Sequence, residues 1–223
     1  MSHMNRLPNW SDLLKLVVIT ERVKELGRSH LDVAEAALHG GCRAIQFRDK
    51  EITDRAFAEA ARGVQERCLL HGAMFFVNDR VDVAAVLECG VHLGFNDLEV
   101  SLARQVLGPG AIIGYSPETL EEAKYEVSAG ADYLGIGPVF ATATKPDAGE
   151  AIGLEGLAAM CDAGLAPVVA VGGITSENAA DVARAGARGM AVVTAVSRAD
   201  DMKAATGALL KAFGTASDKG AGS

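Results

Sequence analysis

Where short apolar runs end, this chain sets down side chains suited to anions and hard cations. Gln46-Phe47-Arg48-Asp49-Lys50 follows one run, Asn78-Asp79-Arg80 the next, and Gly94-Phe95-Asn96-Asp97 the third. Tyr115-Ser116 closes a fourth, and Thr142-Ala143-Thr144-Lys145 lies in the connection after a fifth. Arg48 and Lys50 alternate on one face of an extended segment, with Lys145 as a third cation. The chain carries 21 Lys and Arg against 29 Asp and Glu, a net charge of −8, so such a cluster implies a bound polyanion such as pyrophosphate. The competing arrangement is a structural ion pair of Arg48 or Lys50 with Asp79 or Asp97. Those two aspartates end neighbouring strands, where their carboxylates can share one Mg2+. That ion takes one or two protein carboxylates and completes its shell with phosphate oxygens and water. Either aspartate could instead cap the helix that follows it.

The elements that must position these residues alternate. Apolar or β-branched runs at 15–20, 44–47, 74–77, 91–93, 111–114, 132–136, 167–171 and 189–193 predict eight strands. Helical patterns follow at 29–40, 54–70, 81–88, 100–107, 119–129, 154–162, 176–185 and 200–213, the first closed by Gly40-Gly41. Repeated strand–helix units imply a parallel sheet with right-handed crossovers, and eight of them imply a single (β/α)8 TIM barrel over 14–214. An open doubly wound sheet would show a glycine-rich turn after its first strand, where this chain has Thr20-Glu21-Arg22. Met1-Ser2-His3-Met4 reads as a vector remnant within a lead-in over 1–13, and 215–223 as a flexible tail. In a barrel of this kind the strand C-termini build the active site. Gly172-Gly173 and Gly189 with Val193-Thr194 fall around the last two strands, the frequent phosphate site of the fold. Thr142 and Thr144 are candidate hydroxyl donors to the same anion.

The remaining signals are exclusions. An acidic chain without a basic stripe argues against nucleic acid as a partner. No apolar run reaches membrane-spanning length. Cys42, Cys68, Cys89 and Cys161 fit no metal-ligand spacing and read as buried free thiols, which suits a reducing cytoplasm. His39 and His71 precede glycines at helix ends, and His92 lies inside a strand, in the core or between barrel and helices. None pairs visibly with a serine or cysteine nucleophile, which argues against a hydrolase triad. Helix faces that pack on the sheet or on a second copy alike leave a homo-oligomer open.

Taken in order, Gln46-Phe47-Arg48-Asp49-Lys50, Val77-Asn78-Asp79, Gly130 to Pro138, Thr142-Ala143-Thr144-Lys145 and Val171-Gly172-Gly173-Ile174 resemble thiamine phosphate synthase, over about 16–213. The resemblance implies a transferase that joins hydroxymethylpyrimidine pyrophosphate to thiazole phosphate with release of pyrophosphate. It places Gln46, Phe47, Arg48, Asp49, Lys50, Asn78, Ser116 and Lys145 at the pyrimidine pyrophosphate. Of these, Arg48, Lys50, Ser116 and Lys145 carry the catalytic roles. It gives Thr142, Ala143, Thr144, Gly173, Val193 and Thr194 to the thiazole phosphate, and Asp79 and Asp97 to Mg2+. Phe95 stands where the family usually has Gln. Pro117 follows Ser116 where the family more often has a small residue and then His, and Ala141 stands where a proline is common. A thiazole tautomerase shares the barrel but needs an acid/base group after the fifth strand and dispenses with the metal aspartates. A non-catalytic thiazole-phosphate-binding barrel is the other alternative.

Overall fold

The computed structural model describes residues 9–142 and 149–220. Eight parallel strands close in chain order: β1 (Leu16–Thr20), β2 (Ala44–Phe47), β3 (Met74–Asn78), β4 (Gly90–Gly94), β5 (Ile113–Ser116), β6 (Tyr133–Ile136), β7 (Val168–Val171) and β8 (Gly189–Val192). β8 pairs back onto β1 in the register Leu16↔Met190, Val17↔Ala191, Val18↔Val192. Seven helices connect the strands: α1 (His30–His39), α2 (Asp54–Leu70), α3 (Val81–Leu87), α4 (Val100–Leu107), α5 (Leu120–Ala129), α6 (Gly153–Asp162) and α7 (Ala179–Arg184). After β8 come α8 (Thr194–Ser197), a turn the sequence pattern does not announce, and α9 (Met202–Gly220). α9 runs on past 214, so most of the segment expected as a flexible tail continues the helix.

Local chemistry explains the helix starts. Ser29 caps α1 in a reciprocal box with Asp32, Thr53 accepts from the Ala56 amide ahead of α2, and Thr119 accepts from the Glu122 amide ahead of α5. Gly130 ends α5 in the left-handed conformation, φ 114°. Arg104 then ties that end to the barrel by donating to the carbonyls of Ala111 and Gly130 and to Asp132.

Two apolar layers follow from strand parity. Leu16, Val18, Ile45, Phe47, Phe75, Val77, Leu93 and Met190 pack with helix residues such as Val33, Phe57 and Leu209. The alternate positions Val17, Ala44, Phe76, Tyr133, Val169 and Ala191 form a smaller cluster without a helix residue, which is the barrel interior. Both strand faces are therefore buried. Leu14, from the 3-10 turn Trp10–Lys15, belongs to this interior cluster and closes its floor, with Trp10 packed beside it. Part of the expected lead-in thus belongs to the barrel. Gly189 admits that turn, because a Cβ there would lie 1.8 Å from the Leu14 carbonyl oxygen.

Candidate functional site

Gln46, Arg48, Asn78, His92 and Ser116 share the inward parity at the C-terminal end of the barrel, so four adjacent strands aim side chains into one mouth. Gln46 is buried and donates from Nε2 to Asn78 Oδ1 at 3.1 Å, which fixes both amides. Arg48 forms no ion pair among the described residues and is only half-buried, a cation held at the mouth without a counter-charge. Lys50 Nζ lies 3.1 Å from Asp79 Oδ2, the structural pair that the sequence allowed, and its side chain stays largely exposed.

Asp79 leaves β3 in a left-handed conformation, φ 64°, which is costly for a residue with a Cβ and turns the carboxylate across the strand end. Its amide is held by the His92 carbonyl at 2.9 Å. Asp97 sits in the turn after β4 and accepts from the Gly94 amide at 2.8 Å. Neither caps the following helix, since α3 and α4 lack a side-chain cap. The two carboxyl groups meet each other instead. Desolvation, then the hydrogen bond with Asp79, push the Asp97 carboxyl up to about 6. Two acids this close hold a proton between them or give it up to a cation. Among the described residues no three His, Cys, Asp or Glu side chains converge, and the acidic donor set at this mouth is the pair Asp79 and Asp97. A hard divalent ion that draws its other ligands from phosphate and water fits that donor set.

Phe47 and Asp49, expected at the pyrimidine pyrophosphate, face the other way. Phe47 is fully buried against Phe57 and His30 in the helix layer. The Asp49 side chain is 5% exposed and bound by Arg22 Nε at 2.8 Å and His30 Nε2 at 3.0 Å. Parity is the reason: residues next to inward Gln46 and Arg48 must point outward. His92 takes the first of the two places that the sequence left open. It lies inside the barrel, with Nε2 2.8 Å from Ser116 Oγ and Nδ1 3.0 Å from the Tyr133 hydroxyl. The sequence shows no histidine–serine pairing; the fold makes one between adjacent strands.

The residues expected at a phosphate are only partly among the described ones. The β6–α6 connection lies on the end of β7, through the Val139 amide to the Val171 carbonyl at 2.9 Å and the Phe140 amide to the Gly172 carbonyl at 3.1 Å. Gly172 and Gly173 have positive φ, and a Cβ on either would meet this connection at 2.6 to 2.7 Å. Close packing by protein therefore requires both glycines, whatever their amides also bind. Val193 and Thr194 open α8 beside them, and Thr142 stands in the connection. Ala143, Thr144 and Lys145 lie outside the described residues. Phe95 is 70% exposed in the turn that carries Asp97, and Pro117 is buried directly after Ser116.

Fold and site together define a (β/α)8 barrel enzyme whose strand C-termini gather cationic and amide side chains beside a carboxylate pair. Residues 16–196 match the family described as thiamine monophosphate synthase, and the chain belongs to that family. The thiamine-phosphate synthase of Chloroflexus aurantiacus is 48% identical over 192 residues, 86% of this chain and 88% of its own. That of Moorella thermoacetica is 46% identical over 200 residues, 89% of this chain and 93% of its own. The thiamine phosphate pyrophosphorylase of Pyrococcus furiosus superposes with a TM-score of 0.85 at 40% identity, covering 93% of this chain and 99% of its own.

Proposed function

We propose that this chain condenses hydroxymethylpyrimidine pyrophosphate with thiazole phosphate, giving thiamine phosphate and pyrophosphate, with Mg2+ as the metal. The observation that carries the reading is the meeting of Asp79 and Asp97 at a mouth that also holds Lys50 and Arg48, which forms no ion pair among the described residues. The thiazole ring nitrogen donates its lone pair to form the new bond to the pyrimidine methylene carbon. The carbon–oxygen bond breaks, and its electron pair leaves with pyrophosphate. No proton has to be removed, so the site needs no general base. Its work is to hold two substrates in line and to stabilise the departing charge.

Arg48 and Lys50 provide cationic donors to the pyrophosphate, joined by Lys145. The Gln46–Asn78 pair orients the pyrimidine end, and Ser116 contacts the same substrate. Thr142, Ala143, Thr144, Gly173, Val193 and Thr194 hold the thiazole phosphate. Asp79 and Asp97 hold Mg2+, which when bound supplies positive charge to the leaving group. No helix of the described residues is long and apolar enough to cross a membrane. Cys42, Cys68 and Cys89 are buried free thiols, and burial pushes the Cys42 thiol up to about 11, which keeps it inert and suits the cytoplasm.

The test mixes pure protein with both substrates and Mg2+ and follows thiamine phosphate and pyrophosphate. Equal, EDTA-sensitive formation of the two is the expected result. Binding of thiazole phosphate by calorimetry without any product would overturn the synthase reading.

A further inference from the structure

Tyr133, His92 and Ser116 form a chain of hydrogen bonds whose direction can be worked out from its buried end. The Tyr133 hydroxyl lies in the barrel interior, and the residue is almost completely buried. Among the described residues its hydrogen-bond partner is His92 Nδ1, at 3.0 Å. Burial, reinforced by Asp132, pushes the Tyr133 ionisation up, so the phenol keeps its proton. A buried O–H without an acceptor is costly, so the phenol donates to Nδ1. In a neutral imidazole that accepts at Nδ1, the single proton sits on Nε2. That nitrogen lies 2.8 Å from Ser116 Oγ and donates to it. Ser116 thus receives a hydrogen bond from behind, and its own proton is left for the mouth.

The surrounding backbone is cut to this chain. A Cβ on Gly114 would lie 2.1 Å from Tyr133 Cζ and 2.5 Å from His92 Nδ1. A Cβ on Gly135 would lie 2.8 Å from both His92 Cε1 and Ser116 Oγ. Both neighbours of the imidazole therefore depend on bare backbone at strand positions where glycine otherwise weakens a sheet.

We propose that Tyr133 and His92 are positioning residues that fix Ser116 as a hydrogen-bond donor to an oxygen of the bound anion. What that anion is rests on the proposed function; the direction of the chain does not. With Arg48 and Lys50 at the same mouth, Ser116 then joins a set made wholly of donors, matched to pyrophosphate oxygens rather than to an amino group.

Two measurements test this. The 15N shifts of the His92 ring in the intact protein without substrates report the tautomer directly. Protonated Nε2 with bare Nδ1 is expected in the wild type, and a mixture of tautomers in Tyr133→Phe. A proton on Nδ1 in the wild type would overturn the proposal even if the protein is a synthase. In turnover, Tyr133→Phe should lower kcat about tenfold, the scale of one hydrogen bond, with KM and melting temperature little changed. In a Ser116→Ala background the same change should cost less than about twofold, because no hydroxyl remains to orient. Equal losses in both backgrounds would assign Tyr133 to packing alone. A wild type without turnover would sink the synthase reading and leave the tautomer result standing.

Discussion

At the scale of single residues, the mouth separates two cations that the sequence treats alike. Lys50 is paired with Asp79, whereas Arg48 has no carboxylate partner among the described residues. Removing Arg48 leaves no orphaned acid, so Arg48→Ala should hold its melting temperature within a few degrees. Loss of a preorganised donor to the leaving group should cost it roughly 100-fold in kcat. Lys50→Ala removes a counter-charge next to two carboxyl groups, and without it the protonated form of Asp97, already pushed up to about 6, gains further. Its loss should show as weaker Mg2+ activation as well as slower turnover. A Mg2+ titration of both variants separates the two; equal shifts in the metal requirement would contradict the difference in pairing. Asp97 shows why such acids stand out only in three dimensions. Its turn reads in sequence as a helix start, yet its carboxyl faces Asp79 from the next strand.

At the scale of elements, the alternation of strands and helices was legible because each strand is a short apolar run and several helices carry a side-chain cap or a glycine stop. β2 over 44–47 and α4 over 100–107 fall where the pattern puts them. What could not be read was parity. A barrel strand is buried on both faces, so Ala44-Ile45-Gln46-Phe47 shows no alternation to tell inward from outward. Sequence alone therefore groups Phe47 and Asp49 with Gln46 and Arg48, although their side chains leave by the opposite face. The His92–Ser116 contact was hidden for a related reason, since it joins residues 24 positions apart through strand pairing alone. Thr142 to Lys145 carries a recognisable motif, but its geometry ends at Thr142 among the described residues. Element packing also makes a prediction of its own. Gly189→Ala would drive a methyl group into the Leu14 carbonyl, and overpacking of this kind costs about 1–3 kcal/mol or more. Denaturant unfolding should show that loss, while Gly63→Ala, on α2 with nothing within 4 Å of its Cβ, should be neutral or slightly stabilising.

At the scale of the whole molecule, pH acts on stability through sites of opposite sign. Burial holds the His30 imidazole below its ordinary value of 6.5 despite Asp49 beside it. The unfolded chain then takes up the proton first as pH falls through 6.5, so this contribution is lost in acid. Asp49 is held below the usual carboxylate range by His30, the Glu51 amide and Arg22, against its own desolvation, and its contribution disappears only at lower pH. Asp97, raised to about 6, works in the other direction and stabilises the metal-free protein as pH falls through that value. The informative quantity is therefore a difference. The advantage of the wild type over His30→Asn in melting temperature should shrink between pH 8 and 5, and a constant gap would contradict the burial argument. The closure of β8 onto β1, with Leu14 beneath it, bears on how the chain reaches this state during synthesis. The first strand made is the last to gain its second neighbour, and its partner lies more than 170 residues downstream. Until then a growing chain carries an open strand edge on each side and an uncovered apolar floor, features that invite association between nascent chains. Completion of the ring removes all three at once, so the ribosome must deliver nearly the whole polypeptide before any of it is safe from its neighbours.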